Sequence, residues 1–309
     1  MLSLPQQRAA HIDTLTGTLT DAANEFQHWH DWVCQFARLM QVSDAEPPLP
    51  QAKSQAPGGH CMIFSPHPDD ECIVGALPLR LRQEGQWRVS NIAVTLGSRL
   101  DRRAGRWSEL QQACELLGFD TRKLGDDGLE QVKPETQDLA PTLWRSHVER
   151  VAQLIADERP ELILLPHAGD GIATHMGVHH LVTQALARSS HRCVLGQTEY
   201  WATQSSPNCM IETSCADTAR LVQALAQHRG EVERNPYHLR LPAWMADNVR
   251  RGGEMIGGAG SAPPDFGFAT LYQLSLWGGG AWRQDLSPRL CPAKERLNGN
   301  WLRATAVAR

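Results

Sequence analysis

The sequence predicts an α/β fold: a Rossmann-like three-layer sandwich with a mostly parallel sheet, preceded by an N-terminal helical extension. Three observations carry this expectation. Apolar or β-branched runs of strand length recur at residues 61–64, 88–96 and 161–165, and the last is almost wholly apolar, as in a sheet covered on both faces. Stretches with helical periodicity separate these runs. The resulting order of strand, helix, strand, helix, helix, strand is that of a doubly wound sheet.

Taken in order, residues 14–40 place Phe26, Trp29, Val33, Phe36 and Met40 at helical spacing, which gives one apolar face. That face would pack on the main domain or on a neighbouring subunit of a homo-oligomer. His28 and His30 lie on this helix without an acidic or cysteine partner at ligand spacing and read as ordinary surface or packing residues. The run EPPLPQAKSQAPGG at 46–59 reads as a linker. The expected division is therefore an extension with a Pro-rich linker over 1–57 and a main domain over 58–309.

In the main domain, Pro78 suits the first turn of a helix that stops at Gly85, and Arg88 to Leu96 reads as a strand ending at Gly97. Helices are expected from Arg102 to Leu117, closed by Gly118, and from Pro141 to Asp157. Glu161 to Leu165 is the next strand, and a helix follows through MGVHHLVTQALARSS. Further on, Val194 to Trp201 reads as a strand, Thr218 to Val232 as an amphipathic helix, and LWGGGAW at 276–282 as a tight turn. Tyr237, His238, Arg240 and Trp244 either line a sugar pocket or pack the end of the domain. The residues from about Pro288 carry no usable motif.

Composition narrows the class. The chain has 309 residues, 41% of them hydrophobic, and a formal net charge of −4. It can bury a substantial core and has no basic stripe of the kind that binds nucleic acid. No apolar run approaches the roughly 18 to 20 residues needed to span a bilayer, and the N-terminus lacks a basic start followed by an apolar signal core. A cytoplasmic protein is expected. Its eight cysteines have no paired spacing and read as buried free thiols.

The chemistry gathers in two loops. Cys61 to Phe64 leads into Ser65-Pro66-His67-Pro68-Asp69-Asp70-Glu71, which sets an imidazole and three carboxylates within five residues, on a turn that two prolines restrict. The second loop follows the strand at 161–165 and reads Pro166-His167-Ala168-Gly169-Asp170-Gly171-Ile172-Ala173-Thr174-His175. In a parallel sheet both loops leave the same carboxyl edge. His67 and Asp70 would then supply two metal ligands from one turn and His175 a third, with positions left open for water and substrate. Asp69 would be available as a base, and His179, one helical turn after His175, as a supporting residue or an acid. The blander alternative for an Asp pair after a strand is a helix cap or a solvated turn. His167, His180 and His238 read as structural.

These residues resemble the LmbE/PIG-L family of zinc-dependent N-deacetylases, which includes the deacetylases of mycothiol and bacillithiol synthesis and the enzyme acting on N-acetylglucosaminyl-phosphatidylinositol. The resemblance covers roughly residues 58–275. It is carried by Pro66-His67-Pro68-Asp69-Asp70-Glu71, Thr95-Leu96-Gly97, the Arg106 and Glu109 pair followed by Ala113 and Gly118, and the loop from Asp170 to His175. It implies His67, Asp70 and His175 as ligands of zinc, with iron(II) or another divalent metal as alternatives, Asp69 as general base, and Arg106 as a contact to the substrate's sugar. Many members carry His-Pro-Asp-His in the second loop, whereas this chain has Ile172-Ala173-Thr174-His175. The ligand is kept and the helper histidine is not, which leaves His179 as the nearest replacement. The expected activity is removal of an acetyl or short acyl group from the amine of an N-acyl amino sugar or small glycoconjugate. The alternatives are another hydrolase or hydratase on the same metal, or a metal-containing binding protein without turnover.

Overall fold

The computed structural model describes the backbone of residues 4–40 and 58–307, and the side chains of residues 21–40 and 58–304. The linker expected at 46–59 lies outside the described residues except for its last two positions. The chain opens with α1 (Leu4–Leu39) and continues through β1 (His60–Ser65), α2 (Asp70–Ile73), α3 (Ala76–Glu84), β2 (Arg88–Ala93), α4 (Arg103–Leu117) and β3 (Asp120–Lys123). Then come α5 (Thr136–Leu139), α6 (Pro141–Glu158), β4 (Leu162–Pro166), α7 (Ala173–Ala187), β5 (Cys193–Thr198) and β6 (Cys209–Thr213). The last third holds α8 (Cys215–Ala226), α9 (Arg229–Val232), α10 (Leu241–Gly257), β7 (Phe268–Gly278), β8 (Ala281–Asp285), β9 (Arg289–Cys291) and α11 (Asn300–Val307).

The strands form one mixed, mostly parallel sheet in the order β3-β2-β1-β4-β5-β7-β6-β9, with β8 on β7. From β3 to β5 every pairing is parallel, and β7 runs antiparallel to both β5 and β6. Strand side chains alternate between faces, and here both faces are covered. Cys61 and Ile63 of β1, with Leu162 and Leu164 of β4, enter one apolar layer together with Leu77, Leu110 and Leu221 of α3, α4 and α8. Met62, Phe64, Ile163 and Leu165 enter the opposite layer with Val148 and Leu181 of α6 and α7. This double coverage is the reason the run at 161–165 shows no polar alternation.

The connections place the site. The helices α3 and α4, which join β1 to β2 and β2 to β3, cover one face, whereas α6 and α7, which join β3 to β4 and β4 to β5, cover the other. The winding therefore reverses between β1 and β4, which pair directly through Met62 and Ile163. A crevice opens outside the carboxyl ends of neighbouring strands at such a reversal.

Helix α1 packs on α8 through its apolar stripe. Val33 and Ala37 are buried, with Phe26, Trp29 and Phe36 against the same layer, and Gln223 donates to the Ala22 carbonyl at 3.2 Å. Of the two placements expected for that stripe, the structure shows the main domain. None of the eight cysteines forms a disulfide, and seven are buried. Among the described residues no helix is long and apolar enough to cross a membrane.

The expected elements recur with local differences. The helix expected over 218–232 is broken, ending at Ala226 and resuming at Arg229. A single 3-10 turn at Leu100–Arg102 precedes α4. The turn at 276–282 is the hairpin between β7 and β8, with Gly279 and Gly280 at φ of 61° and 74°. Residues after Pro288 form β9 and α11.

The C-terminal strands are tied to the core by Arg80. Its fully buried guanidinium pairs with Glu84 at 2.6 Å and donates to the carbonyls of Glu212, Cys291 and Glu295. Removing one partner of a buried charged network leaves the other uncompensated. Arg80→Ala is therefore expected to lower unfolding stability by about 3 to 5 kcal/mol, measured by chemical denaturation, and a loss below about 1 kcal/mol would contradict this role.

Candidate metal centre and active site

Both chemistry-bearing loops leave the carboxyl ends of β1 and β4, and the structure brings their side chains together across 108 positions of sequence. His67 Nδ1 lies 3.2 Å from His175 Nε2. Asp70 Oδ2 completes the group, 3.6 Å from the first nitrogen and 3.5 Å from the second. Asp70 and His175 are buried, and His67 is partly open to solvent. The turn is held locally by the His67 backbone N–H, which donates to Asp70 Oδ2 at 2.8 Å.

The donor set fits a divalent ion. Two imidazole nitrogens and one carboxylate oxygen converge within 4.8 Å of one another, which is the ligand chemistry of a borderline cation with one or more open positions. The two ring nitrogens face each other, and an ion between them would take up both lone pairs. Behind the cluster, Asp170 Oδ1 lies 3.0 Å from His175 Nδ1, the arrangement in which a carboxylate fixes the tautomer of a ligating histidine. Asp170 Oδ2 in turn accepts from the Trp201 backbone N–H at 3.1 Å. Although burial works against its charged form, His175 is held above its usual pKa by Asp70 and Asp170. Burial alone would raise Asp70, yet His175 and His67 hold its carboxyl below the ordinary value.

Asp69 has a different environment from its neighbour. It adopts φ 116° and ψ −28°, a conformation that costs a non-glycine residue of order 1 to 3 kcal/mol and persists only where surroundings impose it. Glu71 Oε2 accepts its backbone N–H at 2.9 Å, and the Tyr237 hydroxyl donates to its Oδ2 at 2.5 Å. Burial, with the charge of Asp70 beside it, pushes the Asp69 carboxyl up to about 6.

Two contributors to this arrangement were missed in the sequence. Glu71 is buried and its Oε1 lies 2.6 Å from His228 Nε2. His228, at the break between α8 and α9, is therefore tied to the turn that carries Asp69. Burial opposes its charge, but Glu71 holds its pKa above the usual value. Tyr237, for which the sequence leaves a pocket wall and simple packing both open, is the partner of the Asp69 carboxyl. No local pattern announces either residue, because each lies more than 150 positions from the turn it supports.

A cavity of about 500 Å³ opens beside His67, Asp69 and Asp70. Arg106 lines it, with Nη2 donating to the Pro68 carbonyl at 3.2 Å. Gly97 permits this, since at its φ of 86° any Cβ would overlap the Arg106 guanidinium. Ile172 lines the same cavity. His179 does not: its Nδ1 lies 2.9 Å from the Pro166 carbonyl, and burial holds its pKa below the usual value. Tyr237, Arg240 and Trp244 line an adjoining cavity of about 290 Å³. His238 instead meets Trp29 of α1 edge-on. His167 is held between the Ala202 carbonyl and the Gly169 N–H.

Asp170→Asn should lower zinc affinity by about 10- to 100-fold, the usual loss when the orienting partner of a ligating histidine is removed, with little change in stability. Competition with a chelating dye measures this, and an unchanged affinity would contradict the orienting role.

No curated protein matches the chain. Among solved structures, N,N'-diacetylchitobiose deacetylase from Pyrococcus horikoshii is similar at 14% identity, covering 70% of this chain and 84% of that one with a TM-score of 0.50. The 4-carboxy-2-hydroxymuconate hydratase from Pseudomonas putida is similar at 16% identity, over 75% of this chain and 97% of that one, also at 0.50. A conserved protein of Thermus thermophilus is similar at 18% identity, over 70% and 93%, again at 0.50. Identities this low show a shared fold. The sequence of residues 62–186, which holds both loops, matches the family described as PIG-L, GlcNAc-PI de-N-acetylase.

Proposed function

We propose that the protein is a metal-dependent N-deacetylase that removes an acetyl or short acyl group from the amine of an N-acyl amino sugar or small glycoconjugate. The observation that carries this reading is Asp69, a buried carboxyl with a raised pKa, set beside a convergent group of two histidines and one aspartate. The family match over both loops supports it. The fold alone does not select this chemistry, because a hydratase shares it.

His67, Asp70 and His175 would hold the ion, zinc being the first candidate for this donor set. When bound there, a divalent ion acidifies a water molecule and polarises an amide carbonyl. Asp69 takes the proton of the attacking water as general base. Tyr237 orients the Asp69 carboxyl through its hydroxyl, and its own proton is held firmly, because burial and Asp69 raise its pKa. Arg106, fixed at the cavity wall by the Pro68 carbonyl, contacts the sugar. The departing amine requires a proton. Of the two donors the sequence offers, the protonated Asp69 and His179, the latter does not line the cavity and turns its Nδ1 to a backbone carbonyl, so the proton returns from Asp69.

Acetate release from a panel of N-acetylated amino sugars and glycoconjugates tests this reading. Zinc-loaded protein should release acetate, chelation should abolish release, and added zinc should restore it. Absence of release from the whole panel by protein with one bound ion would overturn the reading. On any substrate found, His179→Ala should lower kcat by less than about 10-fold, since general acid catalysis is worth about 10²- to 10⁴-fold. A loss of about 100-fold or more would return the acid role to His179.

A further inference from the structure

The cavity beside the metal cluster opens into a second cavity of opposite character. The first, of about 500 Å³, is walled by charge, with Asp69, Asp70, Arg102, Arg106 and Glu231 on its lining. The second, of about 290 Å³, is walled by Ile73, Leu225 and Leu241 and by the rings of Tyr200 and Trp244. Ile73, Trp201, Asn235 and Tyr237 line both, so the two cavities meet there. The Tyr237 hydroxyl donates to Asp69 Oδ2 at 2.5 Å, and the apolar chamber therefore opens next to the proposed base. A third cavity also borders His67 but carries Arg103, Glu130 and Lys133.

The walls of the chamber belong to the packed core, because Leu225, Leu241 and Tyr200 are buried in the layer that covers one face of the sheet. Its mouth is open. Trp201 is 66% exposed at the junction of the two cavities, and its backbone N–H is held at 3.1 Å by Asp170, the carboxylate that faces His175. The charged residue of the lining, Arg240, is exposed. Apart from Ile73, the lining follows residue 186 and lies outside the segment that matches the family.

An amide carbonyl carbon set between Asp69 and the ligand group has two substituents that diverge from it. The amine side carries the sugar, whose hydroxyls need hydrogen-bond partners, and the charged cavity supplies them. The acyl side points to whatever space remains. An acetyl methyl would leave the apolar chamber unfilled and its walls without contacts. A cavity of roughly 150 Å³ already holds benzene, so one of about 290 Å³ has room for a short linear chain.

We infer that this chamber is the acyl subsite, and that the group removed is a linear acyl chain of about six carbons rather than acetyl. The inference rests on the deacetylase reading for the bond that is cleaved, and on the chamber alone for the chain. Trp201 covers the chain at the mouth, and Leu225, Leu241 and Trp244 surround its end. Hydrolysis breaks the C–N bond, with water supplying the hydroxyl oxygen of the released acid and a hydrogen to the amine.

N-acetylglucosamine, N-hexanoylglucosamine and the hexyl glycoside of N-acetylglucosamine serve as probes with no chain, a chain on the acyl side and the same chain on the sugar. Zinc-loaded protein should hydrolyse the N-hexanoyl sugar with kcat/KM at least about 10-fold above that for the N-acetyl sugar, since each buried methylene is worth up to about 4-fold. The hexyl glycoside should show no such gain. Trp201→Ala, at an exposed position that tolerates truncation, should reduce the hexanoyl-to-acetyl ratio several-fold. Trp244→Ala, which enlarges the chamber, should move the preference toward the N-decanoyl sugar. Binding of the same probes to the Asp69→Asn protein by calorimetry reads the chamber without turnover. Tighter, Trp201-dependent binding of the N-hexanoyl sugar, with no acid released from any probe by wild type, would keep the acyl subsite and overturn the deacetylase reading. Acetate release from N-acetylglucosamine at kcat/KM equal to or above that for hexanoate release would overturn the subsite and keep the deacetylase. A gain confined to the hexyl glycoside, or an N-hexanoyl sugar that binds no more tightly than the N-acetyl sugar, would overturn the inference.

Discussion

The parallel pairing of β1 with β4 is the constraint on which the rest depends. Cys61, Met62 and Ile63 are aligned with Leu162, Ile163 and Leu164, so the two strands end side by side and their loops leave from the same edge. A one-residue slip would turn every side chain of one strand to the opposite face. Burial on both faces resists this, because each strand divides its apolar residues between the two layers. The reversal of winding at this pair keeps the crossover helices away from the crevice. The approach of His67 to His175 is thus a consequence of sheet register.

At that edge, two adjacent carboxylates diverge because their neighbours differ. Asp70 faces two imidazoles and is held ionised. Asp69 has a left-handed backbone conformation, is buried, and feels Asp70 as a like charge. Environments that push neighbouring titratable groups apart are how one site obtains both a ligand and a base. Keeping Asp69 in place takes groups from distant parts of the chain. Glu71 holds its backbone, His228 holds Glu71, and Tyr237 holds its carboxyl. The C-terminal third therefore holds in place the residue proposed as the base.

Much of the fold was legible in the sequence because the strands that matter most are short, apolar and bounded by helical periodicity. The turn from Pro66 to Glu71 was legible for another reason: its residues are contiguous. His175 could be located only by reasoning that the run at 161–165 ends at the same edge. The later strands were less accessible. Phe268 to Gly278 is an eleven-residue strand buried on both faces between β5 and β6, so it shows little alternation and follows a segment rich in glycine and proline. His228 and Tyr237 lie on short segments around a helix break, where periodicity carries no information about a partner some 160 residues away. For His179, helical spacing correctly gives a position one turn after His175, but not the Pro166 carbonyl that takes up its Nδ1.

The central claim is that ligand and base reside on neighbouring residues of one turn. It is tested most directly by measuring zinc affinity and turnover together in Asp69→Asn, on any substrate that wild type hydrolyses. Because Asp69 stands beside the ligand set and Asp70 within it, zinc affinity should stay within a few-fold of wild type while kcat falls by about 100-fold or more, the range expected for a lost general base. Loss of zinc together with activity would make Asp69 part of the metal site, and retained activity with zinc bound would remove it from the chemistry altogether.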